Sequence, residues 1–126
     1  MGIFPAASTP ADKNLDLLAH VIHAEARGEP YEGMVAVGAV VLNRVKDSRF
    51  PNSIPGVVYQ PGAFDCVTDG QINLEPSATA IKAARDAMNG WDPTYGCIYY
   101  YNPTTATSKW IWSRPIVTRI GKHNFA

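Results

Sequence analysis

Glu25 is the side chain best placed to do acid–base chemistry, because it stands where a helix should bury apolar groups. Leu15, Leu18, Ile22 and Ala26 recur at intervals of three and four, which aligns them on one helical face. At about 100° per residue, Glu25 falls beside Leu18 and between Val21 and Ile22, with Asp16, His20, His23 and Arg27 on the opposite side. A carboxyl group turned toward a core or cleft loses hydration, which favours the protonated form unless a cation or several donors compensate. A general acid needs that property. Gly28 and Pro30 then end the helix: Gly accepts a left-handed C-terminal conformation, and Pro drives Glu29 toward extended geometry. Glu25 is thus expected on the last turn, where a cleft can open. The same position also fits a structural salt bridge to Arg27 or Arg44, and the residues alone leave both readings open.

A second constellation lies downstream. Tyr59, Phe64, Tyr99, Tyr100, Tyr101, Trp110 and Trp112 are interleaved with Gln60, Gln71, Asn102 and Ser108. Aromatic rings give flat apolar platforms and amides satisfy hydroxyl and acetamido groups, so the mixture suits a sugar-binding cleft. Each ring taken singly fits the core of a small α+β domain equally well. A glycosidase of the two-carboxylate kind needs a nucleophile or base across the scissile bond, and Glu29, Glu32 and Asp65 are the candidates. A one-carboxylate mechanism also stays open, as does a non-catalytic glycan-binding module on the same aromatic surface.

Competing chemistries find less support. His20 and His23 lie one turn apart on the face away from Glu25 and are expected to be exposed, so no metal site is assigned. Cys66 and Cys97 are too few and too far apart for a paired-Cys zinc motif, and they are expected as free, partly buried thiols, with one disulfide as the alternative. Neither stands at a helix-start nucleophile position of the sort a Cys–His peptidase uses. Neither the Walker nor the dinucleotide glycine pattern occurs, and no cofactor is expected.

The elements that must position these groups follow from the pattern. Residues 1–11 read as the remnant of a linker, with order starting near Asp12 or Asn14 and one domain over 12–126. Residues 31–45 are apolar on nearly every side and form a central buried helix. Residues 57–60 and 63–67 read as short strands around Pro61-Gly62, a hairpin or loop platform. Pro76-Ser77 opens a third helix that runs to Gly90. Residues 97–101 are β-prone; Trp110 and Trp112, in extended geometry, face one side; residues 116–120 form a last strand. The chain of 126 residues carries 11 basic and 11 acidic side chains, so no basic field argues for nucleic acid. No apolar stretch approaches the roughly 20 residues of a membrane span, and the first residues lack a signal-peptide pattern.

Several blocks in one order carry a resemblance: His23-Ala-Glu-Ala-Arg-Gly-Glu29-Pro-Tyr-Glu-Gly33, Val35-Ala-Val-Gly-Ala-Val-Val-Leu-Asn-Arg-Val45, Val58-Tyr-Gln-Pro-Gly-Ala-Phe64, Asp69-Gly-Gln-Ile-Asn73, Asn89-Gly-Trp-Asp-Pro93, Tyr99-Tyr-Tyr-Asn-Pro103 and Ser108-Lys-Trp-Ile-Trp-Ser-Arg-Pro115. The chain resembles the catalytic domain of the SleB-type spore cortex-lytic cell-wall hydrolases over about residues 14–125. The resemblance implies a compact, lysozyme-like helical α+β domain with a small sheet platform. It implies cleavage of cortex peptidoglycan between N-acetylmuramic acid and N-acetylglucosamine by lytic transglycosylation, with Glu25 as acid and then base. It further implies a preference for muramic-δ-lactam cortex, an accessory protein of the YpeB type, and an extracytoplasmic location in the spore cortex and coat region. Signal and peptidoglycan-binding segments would lie outside this chain. Tyr101 and Asn102 match the Tyr-Asn block of other lytic transglycosylases and join Tyr59, Gln60, Phe64, Gln71, Ser108 and Trp110 as expected substrate contacts. Cys66 and Cys97 depart from the family pattern, which leads one to expect small non-thiol residues there.

Overall fold

The computed structural model describes residues 9–126. Three helices build the main core. In α1 (Pro10–Glu25), Thr9 and Asp12 close a capping box, Asp12 N donating to Thr9 Oγ1 (3.1 Å) and Thr9 N to Asp12 Oδ2 (3.3 Å). Pro10 occupies the first turn, where its missing N–H costs nothing. The helix therefore starts earlier than the expected Asp12 or Asn14; residues 1–8 of the proposed linker lie outside the described residues. Helix α2 (Tyr31–Lys46) is buried from Val35 to Val41, as its apolar run requires. Helix α5 (Ala78–Met88), capped by Ser77, turns Ala80, Ala83, Ala84 and Ala87 inward. These small residues let α5 approach closely, and α1, α2 and α5 pack on one another.

The segment expected to hold a hairpin is helical instead. Ser53 Oγ accepts from Gly56 N and Pro55 falls in the first turn of α3 (Ile54–Val58), whose Val57 and Val58 are buried against α1 and α2. Residues 63–67 run into α4 (Asp65–Thr68), followed by a 3₁₀ turn over Gln71–Asn73. Capping and burial against helices outweighed β-propensity, since among the described residues no strand lies beside either run.

The sheet lies elsewhere, in β1 (Tyr100–Tyr101), β2 (Thr118–Ile120) and β3 (His123–Phe125), antiparallel in the order β1-β3-β2. Tyr100 pairs with Phe125 and Tyr101 with Asn124; Ile120 pairs with His123 across the turn at Gly121-Lys122. The central strand β3 carried no sequence signal, being short and partly polar. Residues 97–101 and 116–120 are strands only at Tyr100–Tyr101 and Thr118–Ile120. Trp110 and Trp112 are not extended: Ser108 caps α6 (Lys109–Ser113), so the two indoles diverge around buried Ile111. The architecture is α+β, mostly helical with one small sheet. Tyr100 packs against both the helical core and the smaller cluster of Ala36, Val40, Cys97, Ile120 and Phe125, joining sheet to helices.

Candidate active site

Glu25 is the last residue of α1, and its Oε1 accepts a hydrogen bond of 2.6 Å from the Tyr100 hydroxyl. Among the described residues no Lys, Arg or His nitrogen lies within salt-bridge distance of its carboxylate. The salt-bridge reading of Glu25 is thereby set aside. The carboxylate opens on a cleft of ≈ 440 Å³ whose walls include Arg44, Gly62, Ala63, Phe64, Asp65, Tyr100 and Ser108.

Tyr100 is held from behind. Its ring meets the His123 ring edge-on at 5.0 Å and Phe125 at 5.9 Å, and alternation along β1 turns Tyr101 to the opposite face. His123 Nδ1 lies 3.2 Å from Glu29 Oε1, a contact that becomes ionic only when the imidazole is protonated, and the Glu29 side chain is only 5% exposed. Lys122 N donates to the same oxygen at 3.0 Å. The Glu29 carboxylate fits there because Gly121 has no Cβ: an added carbon would stand 2.5 Å from Glu29 Oε1, and the backbone φ of +58° favours Gly as well. Burial pushes the Tyr100 phenol well above its usual range, with Glu25 next in effect, so Tyr100 stays an O–H donor. Burial also lowers the His123 imidazole, outweighing Glu29 and Glu25, which pull the other way.

Arg44 is 9% exposed at the end of α2, with its guanidinium carbon 5.2 Å from the Phe50 ring, 5.5 Å from Phe64 and 5.4 Å from Tyr99. Its Nε donates to Ile98 O at 2.7 Å. Cys66 and Cys97 are both buried and free. Burial, followed by the neighbouring Glu25, pushes the Cys66 thiol up to about 12, and burial also raises Cys97, so neither supplies a thiolate nucleophile near neutral pH.

Comparison with known proteins gives this geometry a family. The family model described as Cell Wall Hydrolase matches residues 28–126, starting three residues after Glu25. The chain belongs to this cell-wall hydrolase family. A spore cortex-lytic enzyme of Bacillus cereus is 56% identical over 115 residues, covering 91% of this chain and 44% of the relative. The chain thus spans less than half the length of that curated relative. Two solved structures are similar. The catalytic domain of the Bacillus cereus SleB protein has TM-score 0.87 and 54% identity, covering 96% of this chain and 93% of its own. The catalytic domain described as the germination-specific lytic transglycosylase SleB from Bacillus anthracis has TM-score 0.87 and 52% identity, covering 97% and 98%.

Of the residues expected at the site, Glu25, Phe64 and Ser108 line one cleft. Other expected contacts fall outside the Glu25 cleft. Tyr59, 54% exposed, lines a separate cavity of ≈ 200 Å³ with His20 and Asn73. Gln60 is exposed, and Gln71 donates to Asp69. Tyr101 is buried edge-on to Trp112, Asn102 holds the Thr104 N–H of its own turn, and Trp110 stands exposed at the edge of Tyr99. Clustering in sequence could not tell which face of a strand or short helix each side chain takes. His20 and His23 are half-buried rather than exposed: His20 Nδ1 bonds Ile72 O at 2.6 Å, and His23 Nδ1 accepts from Ser77 N at 3.2 Å. Sequence reasoning missed Tyr100 and His123 as neighbours of Glu25. Strand alternation around Tyr99-Tyr-Tyr-Asn would have separated Tyr100 from Tyr101, but nothing local says which of the two faces the acid.

Proposed function

We propose that residues 12–126 form a catalytic domain that cleaves the glycan strand of peptidoglycan by lytic transglycosylation at the bond between N-acetylmuramic acid and N-acetylglucosamine. The observation that carries this reading is a carboxylate that, among the described residues, has no cation within salt-bridge distance, held by a neutral phenol at the wall of an open cleft. Glu25 in its protonated form donates to the glycosidic oxygen as the C1–O bond breaks. The Glu25 carboxylate then accepts the proton of the C6 hydroxyl while O6 bonds C1, leaving a 1,6-anhydromuramyl end and Glu25 protonated again. The balance needs one acid and no water. The likeness to a domain described as a germination-specific lytic transglycosylase supports the choice of reaction. The substrate is then spore cortex glycan bearing muramic-δ-lactam, the site of action extracytoplasmic, and the accessory partner a protein of the YpeB type.

One observation favours a second reading. Asp65, weighed above as a second carboxylate, lines the same cleft as Glu25 and would serve as base for a water in ordinary hydrolysis. Product masses separate the two: transglycosylation gives muramyl ends lighter by one water than the reducing ends of hydrolysis. Glu25→Gln keeps the shape and removes the acid, so it should abolish release of soluble fragments from purified cortex while glycan binding persists. Turnover like that of the unsubstituted protein overturns the assignment of Glu25. Unsubstituted protein that binds glycan but cuts nothing at any concentration points to a binding module instead.

A further inference from the structure

Arg44 has an unusual balance of contacts. It is a cation nine-tenths buried, yet among the described residues no carboxylate lies within salt-bridge distance of it. Phe50, Phe64 and Tyr99 surround its guanidinium, and the Ile98 carbonyl takes its Nε–H. The two terminal nitrogens have no protein partner among the described residues, and they are not among the buried polar atoms that lack one. They therefore retain access to the outside, and the opening that Arg44 lines is the cleft of Glu25 and Tyr100. A cation stripped of most of its water but still presenting N–H groups to a cleft gains most from an acceptor with charge or a strong dipole. Sugar hydroxyl oxygens are weak acceptors for it; acyl oxygens are strong ones. A cortex glycan strand offers three kinds, the carbonyl of the N-acetyl group, the carboxyl oxygens of the muramyl lactyl ether and, in muramic-δ-lactam, the lactam carbonyl.

We propose that Arg44 is a substrate-recognition residue whose terminal N–H groups bind an acyl oxygen, carbonyl or carboxylate, of the sugar beside Glu25. The assignment rests on the glycan-cleaving reading and names the group of the glycan that this cleft selects. Its aromatic cage fixes the plane of the fork, and the bond to Ile98 leaves the free edge turned to the substrate. Arg44 thereby makes the cleft prefer acylated sugars over plain glucans.

The test uses the Glu25→Gln protein, so that ligands survive, and calorimetric titration with four probes: a cello-oligosaccharide, a chitin oligosaccharide, peptide-free muramyl glycan strands, and the same strands with the lactyl carboxyl reduced to an alcohol. Affinity should rise by roughly ten- to a hundredfold at the step that supplies the acceptor. A rise from cello- to chitin oligosaccharide assigns the acetamido carbonyl; a fall on reduction of the muramyl strands assigns the lactyl carboxyl. Arg44→Met in the same background, with folding checked by near-ultraviolet circular dichroism, keeps the apolar stem in the cage and should erase that step. Equal binding of acylated and non-acylated probes overturns the proposal, and so does an Arg44→Met protein that keeps the preference. The ligand series can still overturn the proposal if Arg44→Met fails to fold. Absence of binding to every muramyl and chitin probe removes the glycan reading and this proposal with it, whereas binding blind to the acceptor removes only this one.

Discussion

The 2.6 Å bond from Tyr100 to Glu25 joins residues 75 positions apart, and it orients the Glu25 carboxylate. Tyr100→Phe removes one oxygen and leaves the ring in both core clusters, so the fold should hold. A hydrogen bond to an ionisable group is worth about 1.5–3 kcal/mol, so the variant should lose roughly ten- to a hundredfold in kcat for cortex-fragment release. Unchanged kcat would show that Glu25 needs no orienting donor. At this scale the inward placement of Glu25 was legible, because α-helical periodicity turns Glu25 away from the charged face of its own helix. Its partner was not, because Tyr100 reaches Glu25 only through pairing of β1 with β3, a strand without an apolar pattern of its own. Phe64 and Ser108 line the Glu25 cleft whereas Tyr59, Gln71 and Trp110 lie outside it, because composition names side chains suited to sugars but gives no direction in space.

At the scale of elements, the three long helices were legible because each has a cap or breaker and a face, or in α2 a whole surface, that is apolar. The short helices α3, α4 and α6 were not, since a run of four or five residues cannot express a period of 3.6. What holds the long helices together is close approach at Gly38. A Cβ there would meet Ile22 Cδ1 at 2.9 Å and Ala87 Cβ at 3.2 Å. The Ile22 methyl can swing aside, but the Ala87 Cβ is fixed to α5, so that helix must shift. Gly38→Ala gains about 1 kcal/mol of helix propensity, whereas overpacking costs about 1–3 kcal/mol. The net expectation is a loss of about 1 kcal/mol, read as a lower denaturant midpoint with unchanged slope. A variant more stable than the parent would mean that the α2–α5 contact has slack. The lining of the Glu25 cleft includes no residue of α5, so kcat should hold while stability falls.

Across the whole molecule, the C-terminal segment is tied back to the helices by polar contacts as well as by packing. Asn43 donates to Asp92 and to Cys97 O, Arg44 to Ile98 O, and Lys122 N to Glu29. These ties join the C-terminal segment and its sheet to the helices, and the groups buried with them give folding a pH dependence of definite sign. Burial lowers the His123 imidazole from its ordinary 6.5; the groups facing it are Glu29 and Glu25, which raise it, Lys122, which lowers it, and the Tyr100 and Phe125 rings. Between its lowered folded value and 6.5, the unfolded chain binds more protons at this residue than the folded one. Stability must therefore rise with pH through that window and level off above it, and acid takes the contribution away. A separate loss belongs to Asp92: burial raises its carboxyl, but hydrogen bonds from Thr94, Asn43 and the Gly96 N–H outweigh this and hold it below the usual 3.8, so its contribution fades only as pH falls through that lower range. Urea midpoints measured from pH 3 to pH 8 should show both regions, and His123→Gln should flatten the one just below pH 6.5 while leaving the acid one in place. If the variant keeps the parent's slope between pH 5 and 7, the imidazole is not the group that titrates there, and the packing of His123 on Tyr100 has no part in the acid sensitivity of the fold.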